Sequence, residues 1–125
     1  MVNNPTYYGV CPDIRRIAKL AHEHGMLLLA DEAHGTHFYF GENLPCSAMA
    51  GRADMASVSI HKTGGSLTQS AMLLCAEGIN ADYVRQVINL TQTTSASYLL
   101  MVSLDIARRN LALNAERCIG KRCSM

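Results

Sequence analysis

The chain has 125 residues, of which 49% are hydrophobic and 17% charged, and its 11 basic and 10 acidic residues give a net charge of +1. This length suits one domain, and the apolar content excludes a disordered chain. The balanced charge argues against nucleic-acid binding, no apolar run approaches the ~20 residues of a membrane span, and no signal peptide is visible at the start. We therefore expect a soluble cytoplasmic protein with no nucleic-acid or membrane partner.

The first part of the chain predicts a helix followed by a buried strand. Pro12 and Asp13 favour a helix start, and Gly25 is typical of a helix end. The apolar face expected on this helix contains Ile14, Ile17, Ala18, Leu20 and Ala21. Residues 26–30 (MLLLA) then form a continuous apolar run that ends at Asp31. A run that is apolar on both faces is typical of a buried parallel strand.

The second part predicts two more strands, over residues 54–60 and 71–75, and then two helices. Asn80 can cap the first helix, residues 91–97 form a polar connector, and the second helix extends from Tyr98 to about Ala115. The inward-facing residues expected on these helices are Tyr83, Val84, Val87 and Ile88, and then Leu99, Val102, Ile106 and Leu113. This order predicts an α/β layer architecture, with three neighbouring strands in one largely parallel sheet.

Two polar motifs follow predicted strands, namely residues 31–35 (DEAHG) and 59–65 (SIHKTGG). Ligands of open α/β sheets bind at the carboxyl ends of the strands, so we expect Asp31 and Lys62 at the same end of the sheet. Pyridoxal phosphate chemistry needs a lysine amine for imine formation and a carboxylate against the pyridine nitrogen. Asp31 and Lys62 would supply both groups. Ser59 and His61 flank Lys62 and can donate to the phosphate of this cofactor.

Each motif alone has another interpretation. An apolar strand ending in Asp-Glu-Ala-His is also the magnesium-binding strand end of a DEAH-type NTPase. That interpretation needs a GxxxxGK[ST] phosphate loop, which this sequence does not contain, and a Ser-Ala-Thr motif where this chain has Ser-x-His-Lys. Taken singly, Lys62 can be a solvated loop lysine and Asp31 a turn residue. Both motifs together, in this order, favour the cofactor interpretation.

No metal site or disulfide framework is predicted. The histidine pairs, His22 with His24 and His34 with His37, lack the cysteine or carboxylate partners that zinc sites require. The five cysteines form no CxxC pair, which favours reduced thiols. They are Cys11, Cys46, Cys75, Cys118 and Cys123.

Four segments together resemble the major domain of the bacterial ornithine/lysine/arginine decarboxylases, which are fold-type-I pyridoxal-phosphate enzymes. The segments are residues 4–9 (NPTYYG), 31–35 (DEAHG), 59–63 (SIHKT) and 92–95 (QTTS), in the order of that family. The resemblance implies an aspartate aminotransferase-like fold with a mostly parallel sheet and flanking helices. It also implies that pyridoxal 5′-phosphate is the cofactor.

The resemblance assigns roles to individual residues. Lys62 would form the Schiff base, Asp31 would face the pyridine nitrogen, and His34 would lie beside the cofactor ring. Ser59 and His61 would belong to the phosphate and imine surroundings. Thr94 and Ser95 match a loop that, in dimers of this family, reaches the phosphate site of the partner subunit.

The implied reaction is decarboxylation of a basic amino acid in polyamine biosynthesis, and the choice among lysine, ornithine and arginine is left open. The resemblance also implies that the full-length protein is a homodimer or higher oligomer. The alternatives are another fold-type-I reaction, such as transamination or a lyase reaction, and a catalytically inactive fragment. The Ser-x-His-Lys and Thr-Tyr-Tyr-Gly elements favour the decarboxylase.

The resemblance divides the chain into a partial cofactor-binding major domain over residues 1–115 and a tail of unclear origin over residues 116–125. The upstream phosphate-loop segment of the family, its ring-stacking histidine and its small C-terminal domain are not found here, and Ala96 replaces a usual proline. We therefore expect this chain alone to bind the cofactor loosely, to release no measurable CO₂ and to aggregate through uncovered sheet edges.

Overall fold

In the computed structural model, four strands form one sheet in the order β1-β2-β3-β4. The structure describes residues 1–41 and 43–119, without the side chains of Glu116 and Cys118. The strands are β1 (Val2–Asn3), β2 (Leu29–Asp31), β3 (Met55–Val58) and β4 (Met72–Cys75). The helices are α1 (Ile14–Glu23), α2 (Ile60–Thr63), α3 (Ala81–Thr91) and α4 (Tyr98–Ile119), with a 3₁₀ helix over Thr36–Tyr39. This arrangement confirms the predicted α/β class.

The sheet is mixed rather than wholly parallel. β1 pairs with β2 and β2 with β3 in parallel, whereas β3 and β4 are antiparallel, with Val58 opposite Met72. β4 is therefore the exception in the largely parallel sheet that the sequence predicts. The connection over residues 59–71 contains one four-residue helix and returns to the end of the sheet from which it left. Parallel strands are usually joined by a crossover through a full helix, which this connection does not contain.

Helix α1 begins and ends where the sequence predicts. The Asp13 carboxylate accepts a hydrogen bond from Arg16 N at 3.1 Å, which caps the first turn. Gly25 follows the last turn with φ of +67°, a conformation that glycine adopts without steric cost. Ile14 and Ala18 are each 1% exposed and face the core, whereas Leu20 is 56% exposed and does not.

One face of the sheet is covered and the other is open. Ala30, Ala56 and Val58 lie in the core together with Ile14 and Ala18 of α1. Leu29 and Leu73 are 41% and 40% exposed, and each alternates along its strand with residues of the covered face. Burial of the 26–30 run is therefore one-sided, since Leu28 and Ala30 are buried while Met26, Leu27 and Leu29 are exposed.

The two C-terminal helices differ from the prediction in the faces that they bury. Asn80 caps α3 through a hydrogen bond from Tyr83 N at 3.0 Å, as expected, but α3 contains no buried residue. Helix α4 buries Ala107 and Leu111. Its predicted inward residues are more than half exposed, namely Leu99, Val102, Ile106 and Leu113. Apolar residues occupy two faces of α4, and periodicity alone does not say which face packs.

Helix α4 extends beyond the predicted end near Ala115 and contains a kink at Asn114, where the backbone is not helical. Residues 120–125 of the predicted tail lie outside the described residues. No helix in the described part of the chain is long and apolar enough to cross a membrane.

Candidate active site at the carboxyl ends of β2 and β3

The first half of the site is the turn that follows β2, over residues 31–35. Asp31 ends the strand, and its Oδ1 accepts a hydrogen bond from Ala33 N at 3.1 Å. Gly35 N donates to Glu32 O at 2.9 Å and closes the turn. A Cβ atom on Gly35 would lie 2.5 Å from Glu32 Cγ and 2.9 Å from Asn4 O, so this tight packing requires glycine. The turn holds Asp31 and His34 close together.

Glu32 in the same turn is completely buried, and the sequence motif alone predicts no role for it in cofactor binding. Its carboxylate accepts hydrogen bonds from Asn4 Nδ2 at 2.9 Å, from Ala48 N at 2.7 Å and from the Tyr39 hydroxyl. Burial raises the pKa of Glu32 although these three donors lower it. Burial and the neighbouring Glu32 carboxylate likewise raise the pKa of Tyr39. The signal in the sequence was an acidic residue directly after a buried strand.

The second half of the site is the segment that follows β3. Ser59 precedes α2, and its hydroxyl makes no capping hydrogen bond. Because α2 contains Lys62, this lysine lies on a short helix rather than on a loop, and its side chain is exposed. Lys62 Nζ lies 3.4 Å from His34 Nε2 and so links the two segments. Since β2 and β3 are parallel, with Asp31 opposite Ser57, Asp31 and Lys62 lie at the same end of the sheet.

His61 is fixed by the backbone on the far side of the same loop. Its Nδ1 lies 2.8 Å from Ser70 O, and because a carbonyl oxygen only accepts, Nδ1 carries the proton and donates it. His61 N also donates to Ser70 O, at 3.3 Å.

A cavity of about 530 Å³ lies beside Lys62, between α2 and α4. Its lining combines polar groups from α2 and α4 with apolar side chains. The lining residues are His37, Leu44, His61, Lys62, Thr63, Gly64, Gly65, Ala107, Asn110, Leu111 and Ile119. Thr63 Oγ1 is buried and has no hydrogen-bond partner in the described ranges. A polar group of a ligand could form a hydrogen bond with this hydroxyl.

Tyr7 extends the site toward solvent. Its ring packs edge-on against His34 with 5.4 Å between ring centroids, and against Tyr8 with 5.5 Å. Both tyrosines are largely exposed, at 78% and 89%. Residues from the start of the chain therefore border the imidazole that contacts Lys62.

Thr94 and Ser95 are not brought to this site within the single chain. Both are exposed in the connector between α3 and α4, where Ser95 N donates to Thr93 Oγ1 at 3.2 Å. Their expected contact with the phosphate site of a partner subunit stays a prediction. Among the described residues, no group of three or more histidine, cysteine, aspartate or glutamate side chains could hold a metal ion.

The donor set fits pyridoxal 5′-phosphate. An amine and a carboxylate lie at one end of the sheet, with an imidazole 3.4 Å from the amine. Among the described residues, the Asp31 side chain accepts its hydrogen bond at Oδ1. Oδ2 can therefore accept a hydrogen bond from a ligand. The buried hydroxyl of Thr63 is a further polar group beside Lys62. These are the types of side chain that this cofactor requires.

Several known proteins are similar in sequence to this chain. Arginine decarboxylases from Halalkalibacterium halodurans and Bacillus subtilis are each 50% identical to the chain, over 121 and 118 residues. These matches cover 96% and 94% of the chain but 25% and 24% of the relatives, so the chain spans about a quarter of their length. An 8-amino-7-oxononanoate synthase from Chlorobaculum parvum is 26% identical over 111 residues, which are 87% of the chain and 28% of that protein.

A solved structure shares the fold. A chain in the crystal structure of the SepCysS–SepCysE N-terminal domain complex superposes with a TM-score of 0.62 at 17% identity, over 91% of this chain and 31% of that chain. The model of the family described as Orn/Lys/Arg decarboxylase, major domain, matches residues 1–124. This match includes the segment after residue 115 and favours the decarboxylase interpretation of the DEAH motif over the NTPase interpretation. The chain belongs to the Orn/Lys/Arg decarboxylase major-domain family.

Proposed function

We propose that this chain carries the cofactor-binding centre of a pyridoxal-phosphate-dependent decarboxylase for basic amino acids, with arginine as the preferred substrate. The observation that carries the proposal is the contact of Lys62 Nζ with His34 Nε2 at the sheet end where Asp31 also lies. The preference for arginine is supported by the relatives named arginine decarboxylase. The family description alone includes ornithine and lysine as well.

Each residue has a distinct task in this proposal. The Lys62 amine is the nucleophile that would bond to the aldehyde carbon of the cofactor. Asp31 Oδ2 would accept a hydrogen bond from the ring nitrogen and keep a proton there. His34, beside Lys62, would pack against the ring, and Ser59 and His61 would lie toward the phosphate. When bound, the cofactor supplies an electron sink for the pair left behind by departing CO₂.

The decisive experiment measures which lysine reacts. The chain has three lysines, Lys19, Lys62 and Lys121. After incubation with pyridoxal 5′-phosphate, borohydride reduction and peptide mapping, we expect the label on Lys62 to exceed that on Lys19 by about tenfold or more. Lys19 is an internal control because it is exposed and lies 3.8 Å from Glu23. Equal labelling of the two, or an undiminished total label in Lys62→Ala, would contradict the proposal.

Substrate choice is tested in the same assay by competition. Arginine should lower the label on Lys62 more than lysine or ornithine does at equal concentration. Each amino acid also consumes free cofactor in solution, and this loss lowers the labels on Lys19 and Lys62 alike, so the ratio of the two isolates competition at the site. A ratio that falls equally with all three amino acids would contradict the preference for arginine.

A further inference from the structure

Glu32 is the one charged residue of the described chain that is completely buried, and it lies between the two residues that face the proposed cofactor. Asp31 precedes it and His34 follows two residues later. Buried carboxylates are stable only when hydrogen-bonded or paired, so the surroundings of Glu32 must supply donors.

Three separate parts of the chain supply these donors. Asn4 follows β1, Tyr39 ends the 3₁₀ helix, and Ala48 N belongs to the loop before β3. Asn4 Nδ2 also donates to Cys46 O at 3.0 Å, which joins the first segment to the third. A single side chain therefore fastens the 31–35 turn to three neighbours that are distant in sequence.

Backbone hydrogen bonds place the same residues across the end of the sheet. Asn4 N donates to Asp31 O at 2.9 Å, and Glu32 N donates to Ser57 O at 2.9 Å. The Glu32 carboxylate and its backbone thus connect the ends of β1, β2 and β3. A displacement of Glu32 would move Asp31 and His34 together, because the turn that contains them is closed by Gly35 N and Glu32 O.

We propose that Glu32 is a positioning residue, which holds Asp31 and His34 in the orientation that receives the cofactor without touching it. The inference rests on the proposed function, since it concerns the same site. Supporting residues of this kind decide how accurately groups in contact with a ligand are placed, and small misplacements have large effects on function.

The test compares Glu32→Gln with a core variant of similar stability. Glutamine keeps an oxygen for Asn4 and Ala48 but presents an NH₂ donor to the Tyr39 hydroxyl. We expect the dissociation constant of pyridoxal 5′-phosphate to rise about tenfold and the Lys62-to-Lys19 label ratio to fall about tenfold. Ala18→Gly lowers stability in α1, away from the turn, and should change neither by more than about twofold. Equal effects of the two variants at matched stability would overturn the proposal.

A double-mutant cycle identifies the route of the effect. In an Asp31→Asn/His34→Ala background, Glu32→Gln should change the dissociation constant by less than about twofold, because the residues through which it acts are gone. A full tenfold effect in that background would show that Glu32 acts otherwise and would overturn the proposal. If Glu32→Gln does not fold, Tyr39→Phe removes one donor while it keeps the charge and the ring, and should weaken binding in the same direction.

The outcomes separate this inference from the proposed function. A wild-type chain that labels Lys19 and Lys62 equally contradicts the proposed function. A wild-type chain that labels Lys62 selectively, with an unchanged ratio and dissociation constant in Glu32→Gln and Tyr39→Phe, contradicts the positioning role alone.

Discussion

The two segments that form the candidate site are held in opposite ways. The turn over residues 31–35 is fastened by a buried carboxylate with three donors, and Gly35 admits no added atom. The segment over residues 59–65 carries an exposed lysine on a four-residue helix, and Gly65 has open space around it. The carboxylate side of the site is thus packed like a protein core, whereas the lysine side combines packed residues, Ile60 and Gly64, with open space at Lys62 and Gly65.

This difference suits the separate tasks proposed for the two segments. A group that keeps a proton on a ring nitrogen must stay in one place, and a rigid turn provides this. A lysine that bonds to an aldehyde carbon must move between a free and a bonded state, and the long, exposed side chain of Lys62 allows this motion. Substitutions in each segment would measure this difference directly.

The largest effect is expected from a methyl group added to each segment in turn. Gly35→Ala should lower the free energy of unfolding by about 3 kcal/mol, since the new Cβ overlaps Glu32 Cγ and Asn4 O in a tightly packed turn. Gly65→Ala should cost about 1 kcal/mol, from its φ of +88° alone. Urea denaturation followed by circular dichroism measures both. Similar losses in the two variants would mean that the surroundings of Gly35 and Gly65 do not differ in packing.

A smaller effect is expected from removal of one hydroxyl beside the buried carboxylate. Tyr39→Phe leaves Glu32 with two donors in place of three, which should cost about 1–3 kcal/mol of unfolding free energy. Tyr7→Phe is the matched control, because Tyr7 is 78% exposed and should change stability by less than about 0.5 kcal/mol. A Tyr39→Phe chain as stable as wild type would show that the hydroxyl does not support Glu32.

The pH dependence of stability should distinguish Glu32 from an acidic residue near the surface. Burial raises the pKa of Glu32, so the folded state retains its proton more readily than the unfolded state. The contribution of Glu32 to folding stability is therefore greatest below the ordinary pKa of glutamate, and it declines as the pH rises through the pKa that Glu32 has in the folded state. Glu32→Gln should remove this decline in urea titrations at successive pH values. A wild-type profile unchanged by Glu32→Gln would contradict this assignment.

Asp54 should show the opposite sign. Burial opposes its ionisation, but hydrogen bonds with His22 at 2.9 Å and from Leu28 N at 2.6 Å outweigh burial and lower its pKa. The contribution of Asp54 to folding stability is present above the ordinary pKa of aspartate, and it is lost as the pH falls through the pKa that Asp54 has in the folded state. In the same titrations, Asp54→Asn should flatten the acid side of the profile. Loss of stability on the alkaline side instead would refute the assigned direction.

The smallest effect is expected on the lysine side of the site. Ser59→Ala should change the free energy of unfolding by less than about 0.5 kcal/mol, because the Ser59 hydroxyl caps nothing and the helix bonds to its carbonyl oxygen instead. Asp13→Ala, which removes a true N-cap from α1, should cost about 1 kcal/mol. If Ser59→Ala were as costly as Asp13→Ala, the lysine segment would be more firmly held than its hydrogen bonds indicate.

Local chemistry made parts of this fold predictable. The starts of α1 and α3 follow from Asp13 and Asn80, whose side chains satisfy nearby backbone amides without help from distant residues. The placement of Asp31 and Lys62 at one end of the sheet follows from two strands that run in parallel. Both inferences need only short stretches of sequence and a general rule.

Features set by long-range contacts were not predictable in the same way. The direction of β4 depends on the return path of residues 59–71, and β1 has two residues, too few for a periodic signal. The packed face of α4 depends on which of two apolar faces meets the core. Glu32 resembles any acidic residue after a strand until Asn4, Tyr39 and Ala48 converge on it.

The antiparallel pairing of β3 and β4 also bears on how the molecule assembles. These strands are joined by residues 59–71, whereas β1 and β2 are separated by residues 4–28 and pair through distant parts of the chain. Contacts between nearby residues close shorter loops and form faster. The hairpin that contains Lys62 should therefore form before Asn4 reaches Glu32. Lys62 would then occupy its place early in folding, and the hydrogen bonds that fix the turn with Asp31 would form last.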